Sequence, residues 1–137
     1  MRTGVLRLLG GLMLLLMSGI GAAAQSTEIE GTINSQLEAF KADDFDTAFT
    51  YATPTLQRLF QSPQNFQRMV TQGYPMVWRP AEVRYLELRE KAGGLWQKVQ
   101  ITDAKGFTHI LDYKMEETDM GWRIGAVQIL DAAGVTA

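Results

Sequence analysis

The sequence predicts an α+β fold, with helices first and then an antiparallel sheet of about four strands that the helices cover on one face. Three observations carry this. Between Ile29 and Val70 the apolar residues recur every three or four positions, the period of a helix face. Two Ser/Thr-Pro steps, Thr53-Pro54 and Ser62-Pro63, supply helix starts. Beyond Pro80 the period shortens towards two, and turn-forming clusters interrupt it at regular intervals.

The chain opens with Met1-Arg2-Thr3-Gly4-Val5-Leu6-Arg7, then an apolar run from Leu8 to Ile20, then Gly21-Ala22-Ala23-Ala24-Gln25. A cationic start, a short apolar stretch and an Ala-x-Ala end are the three parts of a secretory signal. Residues 1–24 are therefore expected to be a cleavable signal peptide, and 25–137 a single exported domain. The apolar run is shorter than the roughly 20 residues that span a bilayer, so membrane contact is expected only through the leader before cleavage. The 137 residues contain no cysteine, which rules out disulfides, thiolate chemistry and a lipid-modified cysteine at the cleavage site. With Arg2 and Arg7 removed, the formal charge moves from −2 to about −4. An acidic domain without a basic run is poorly suited to nucleic acid.

In the expected domain, Thr27-x-x-Glu30 has the form of a capping box, and Ile29, Ile33, Leu37 and Phe40 form one face of a helix over about 27–42. Asp43 is placed to cap a second helix carrying Phe45, Ala48, Phe49 and Ala52. Thr53-Pro54 opens a short turn with Leu56, Leu59 and Phe60, and Ser62-Pro63 opens a helix with Phe66, Met69 and Val70 that stops at Gly73. Tyr74-Pro75 and Arg79-Pro80 then break regular structure. Strands are expected over 82–90, 95–102, 107–115 and 122–130, with turns at 91–94, 103–106 and 116–121.

Three segments carry a resemblance: Gln72-Gly73-Tyr74-Pro75-Met76-Val77-Trp78-Arg79-Pro80, Leu111-Asp112-Tyr113 and Gly121-Trp122-Arg123-Ile124. With the element order, they make residues 28–131 resemble a family of small exported bacterial proteins known as domain of unknown function 4864. That family is assigned to the nuclear-transport-factor-two-like, or cystatin-like, fold. The resemblance implies a cone-shaped domain whose curved sheet wraps a pocket closed by helices. It implies no activity and carries over no catalytic residue, since relatives use the pocket as enzyme site, ligand site or core.

His109 is the single histidine and the one catalytic candidate. It shares a strand face with Phe107, Leu111, Tyr113 and Met115 and would act as a base if that face lined a wet pocket. The plainer reading is a packed or edge histidine bonded to backbone. Asp112 falls on the opposite face, with Arg123 or Arg84 as expected ion-pair partners, and Asp103 suits local hydrogen bonding in a turn. The segment Tyr74–Pro80 reads either as a rigid aromatic rim presenting Tyr74, Trp78 and Arg79 to a ligand or as a plug for the core. Tyr85, Trp96 and Tyr113 are further candidates for a pocket wall. An Arg beside aromatics suits an anion. No phosphate loop, metal-ligand spacing or serine triad is present, so no cofactor or metal is expected. The residues best fit non-catalytic binding of a small apolar or anionic ligand, or of a protein partner, in the periplasm. The alternatives are a cofactor-free dehydratase or isomerase with His109 as base, and a structural homodimer.

Overall fold

The computed structural model describes the backbone of residues 2–130 and the side chains of 21–130. Most of the expected leader, and the last seven residues of the expected domain, lie outside the described side chains. Helices α1 (Arg2–Lys41), α2 (Phe45–Thr50), α3 (Pro54–Phe60), α4 (Pro63–Gly73) and α5 (Pro75–Trp78) precede strands β1 (Pro80–Lys91), β2 (Gly94–Asp103), β3 (Thr108–Thr118) and β4 (Gly121–Ile129). The strands form one open antiparallel meander in sequence order.

Local signals account for most of the helix starts. Thr53 Oγ1 accepts from Leu56 N at 3.2 Å and Ser62 Oγ from Asn65 N at 3.1 Å, each with proline in the first helical turn. The expected start of the first helix is different. Thr27 lies inside α1, where its hydroxyl donates back to Ala23 O at 3.0 Å, and Glu30 accepts from Ser26 Oγ rather than closing a box. Ala22–Ala24 are strong helix formers and carry the helix past that point. The cap of α2 is Asp44, which accepts from Thr47 N at 3.1 Å, while Asp43 takes a left-handed backbone (φ 55°) and bonds elsewhere. The Tyr74–Pro80 break contains the four-residue α5.

One face of α1, Ile29, Ile33, Leu37 and Phe40, is buried against Val99, Ile101, Leu111, Tyr113, Met115 and Ile124 of the sheet. Phe66 of α4 gathers the helices around one ring, meeting Phe40, Phe49 and Phe60 at centroid distances of 5.8, 5.4 and 5.6 Å. Besides a register shift between Pro80 and Glu82 at the start of β1, two bulges interrupt the pairing, and bulges bend a sheet. In β1 a bulge between Tyr85 and Leu88 is stitched by the buried Gln97 amide, which donates to Leu86 O at 3.0 Å. In β4 Lys114 pairs with Ala126 and Met115 with Ile124, leaving Gly125 as the extra residue. A Cβ on Gly125 would meet the carboxylate end of the exposed Glu116 side chain, which would have to swing aside. The outer edge of β4 is covered by Tyr51–Thr53: Thr53 N donates to Ile124 O and Ile124 N to Tyr51 O, at 2.9 and 2.8 Å.

Candidate functional site

Between the helices and the β4 side of the sheet lies a cavity of about 380 Å³. Gln36 and Phe40 of α1 line one side, and Phe66, Met69 and Val70 of α4 another. Leu56, Leu59 and Phe60 of α3 form a rim, and Tyr74 and Val77 continue it. Tyr113 of β3 and Ile124–Val127 of β4 make the floor. The amphipathic spacing of α3 and α4 turns their apolar residues towards this space. Helix α3 contributes no buried residue, and Leu59 is 73% exposed at the rim.

The lining contains no ionisable Lys, Arg, His, Asp or Glu side chain. Its polar side chains are Gln36, Tyr74 and Tyr113. Gln36 Nε2 donates to Ala48 O at 3.1 Å, and the Tyr74 hydroxyl donates to Val127 O at 3.3 Å. Tyr113 is 1% exposed, and its hydroxyl makes no hydrogen bond among the described residues. Burial, then the neighbouring Tyr85 and Tyr74, push its ionisation well above the ordinary tyrosine range, so it is a neutral phenol.

Of the residues singled out in the sequence, Tyr74 and Tyr113 line this cavity; Trp78, Arg79, Tyr85, Trp96 and His109 do not. Trp78 Nε1 donates to Asp43 Oδ1 at 2.8 Å. The Arg79 guanidinium lies 4.4 Å from the Trp78 ring centroid, donates twice to the Asp43 carboxylate at 2.9 and 3.1 Å, and also donates to Phe40 O. The bonds from Trp78 and then Arg79 hold Asp43 below the usual carboxylate range. An anion at Arg79 would have to displace a carboxylate already bound there. This segment staples α5 to the end of α1. Tyr85 donates to Glu30 O at 3.2 Å, and burial, with the Glu30 charge second, raises its pKa to about 12. Trp96 lies on the opposite face of the sheet from the core, under Lys91 Nζ at 4.5 Å.

His109 Nε2 is 2.8 Å from Asp103 Oδ2 at the β2–β3 turn, and Asp103 also accepts from Lys105 N and Phe107 N. The His109 bond comes first among the causes that hold Asp103 below its ordinary value. Asp103 thus plays the turn role expected of it and orients the histidine as well, and His109 is not among the residues that line the apolar cavity. Asp112, with 0% exposure, pairs with Arg89 and Lys91 rather than with Arg123 or Arg84. Among the described residues, no group of three His, Cys, Asp or Glu is placed to hold a metal ion.

A second concavity, about 690 Å³, lies beside Gln25, the β1–β2 turn and Lys114–Glu117, with Glu90, Lys91, Lys114, Glu116 and Glu117 around it. Its larger volume counts for less than its mixed charge: it is a wet surface cleft, whereas the apolar cavity offers the desolvated wall that small ligands need.

Helices covering one face of an open, bent, four-stranded antiparallel sheet around an apolar space define a nuclear-transport-factor-two-like α+β domain. An NTF-2-like protein of unknown function from Shewanella oneidensis MR-1 has this fold, with a TM-score of 0.51 at 14% identity over 77% of this chain and 98% of that one. A phospholipid-binding protein from Ralstonia solanacearum, solved in complex with a phospholipid, gives a TM-score of 0.47 at 17% identity over 76% of each chain. No protein of curated function matches the chain. The chain belongs to the family described as "Domain of unknown function (DUF4864)", whose model matches residues 22–137.

Proposed function

We propose that this domain is a non-catalytic binding protein for a small, predominantly apolar ligand held in the cavity between α3, α4 and β4. The observation that carries the reading is the lining: about 380 Å³ of space walled by apolar side chains, without one ionisable Lys, Arg, His, Asp or Glu. That volume falls in the range of small-molecule sites, roughly 300–1,000 Å³. A purely structural core would be expected to close such a space, because protein interiors pack to crystal-like density. Helix α3, capped by Thr53 yet burying no residue, is the element that would part to admit a ligand.

The leader pattern of residues 1–24 further supports a site of action after export, in the periplasm of a Gram-negative cell. The test is native mass spectrometry of protein taken from its own cells. The expected spectrum shows a chain starting at Gln25 with an added mass that is lost on denaturation. Met69→Trp, which fills the cavity, should abolish the added mass and leave the circular dichroism unchanged. A bare protein that also gives no saturable fluorescence with 1-aminoanthracene, a neutral apolar dye, would overturn the binding reading. A retained Met1 would overturn the export reading.

A further inference from the structure

Resting on the binding reading above, we propose that the ligand is electrically neutral and carries an oxygen function, such as a ketone, ester or alcohol, that hydrogen-bonds to the Tyr113 hydroxyl at the cavity floor.

Two observations point the same way. The first is the charge of the wall. A carboxylate or phosphate entering the cavity would lose its water and meet no Lys, Arg or His among the lining residues, and an ammonium would meet no Asp or Glu. Arg79, the cation expected to favour an anion, is outside the lining and engaged by Asp43. The second is the state of the three polar side chains. Gln36 Nε2 and the Tyr74 hydroxyl are committed to Ala48 O and Val127 O. The Tyr113 side chain is almost wholly buried and lines the cavity, and its hydroxyl has no partner among the described residues. Among the described residues the fully enclosed polar side-chain atom without a partner is Gln97 Oε1, away from this cavity; the Tyr113 hydroxyl is instead an unpartnered group beside open apolar space, where a ligand oxygen can satisfy it. Because burial keeps Tyr113 protonated, it offers one donor and an acceptor, which matches a carbonyl or hydroxyl oxygen.

The experiment measures displacement of 1-aminoanthracene from the purified protein by three molecules of one shape: acetophenone, ethylbenzene and benzoate. Acetophenone and ethylbenzene should displace the dye and benzoate should not. Tyr113→Phe should weaken acetophenone about two- to tenfold, the worth of one hydrogen bond, and leave ethylbenzene unchanged. Tyr74→Phe, whose hydroxyl already serves Val127 O, should leave the acetophenone-to-ethylbenzene ratio alone. An equal effect of Tyr113→Phe on both molecules, or displacement by benzoate as strong as by acetophenone, would overturn the proposal while the binding reading stands. If the dye itself does not bind, the binding reading fails and the proposal with it. Should Tyr113→Phe not fold, the infrared carbonyl stretch of acetophenone bound to the unsubstituted protein decides: a shift to lower frequency than in hydrocarbon solvent is expected, and an unshifted stretch refutes the bond.

Discussion

Asp112 is the most exacting test of how the sheet's outer face is held together. Its side chain is 0% exposed, and its two oxygens take bonds of 3.0 and 2.6 Å from the Arg89 guanidinium and 2.9 Å from Lys91 Nζ. Burial alone would raise its ionisation, but the bonds from Arg89 and Lys91 together outweigh burial and hold it below the ordinary value. Asp112→Asn keeps the shape, removes the charge and turns an amide N–H₂ towards one of the cations. Removing one partner of a fully buried pair costs about 3–5 kcal/mol. Here Arg89 and Lys91 keep 25% and 40% of their side-chain exposure and can recover some hydration, so about 2–3 kcal/mol is expected. For a domain of this size that lowers Tm by about 8–12 °C. Thermal unfolding followed by circular dichroism at pH 7 is the assay. The sign of the pH dependence follows from the depressed carboxyl. Its contribution is present above the unfolded value of 3.8 and is lost as pH falls through the lower, folded value. The gap between the unsubstituted protein and Asp112→Asn should therefore be constant from pH 7 to 5 and shrink below pH 4. A Tm change under about 3 °C at pH 7, or a gap that widens in acid, would refute the argument.

Two further outcomes are expected. Asp43→Gly relieves a left-handed backbone but removes the acceptor shared by Trp78 and Arg79; if the staple matters, Tm falls and the near-ultraviolet dichroism of Trp78 changes, whereas an equal or higher Tm would show that the bonds contribute nothing beyond the backbone strain. Thr53→Ala removes the α3 cap at a cost of about 1 kcal/mol, and because α3 buries no residue the loss should be local: hydrogen exchange accelerates at the Leu56 amide but not at Val70, and equal acceleration at both would show that α3 and α4 open as one unit.

What was legible in the sequence was local. Thr53-Pro54 and Ser62-Pro63 read correctly because a cap and its N–H lie three residues apart. The four strands read correctly because alternation and turn residues are neighbours in sequence. The first cap failed for an equally local reason: Thr27 can donate to Ala23 O as readily as it can cap, and the alanines before it favour helix. Asp43 and Asp44 are adjacent, and the choice between them was made from a distance, by Trp78 and Arg79.

The sequence by itself determined the α+β order, the cysteine-free acidic composition and the residue types available to a site, because periodicity, capping and counting need no long-range information. Only the tertiary structure decided what each of those residues faces. Arg84 and Arg89 are five residues apart, and the β1 bulge brings Arg89 onto the face that carries Arg84 and Asp112, where Arg89 bonds the carboxylate. Strand register left His109 beside the β2–β3 turn with Asp103, four pairs along from Tyr113 on the same face. The packing of α3 and α4 against β4 left Tyr74 and Tyr113 around an apolar space while Trp78 and Arg79 turned to Asp43. Each of these depends on register and on which helix covers which strand, and a one-residue shift in pairing would exchange every face.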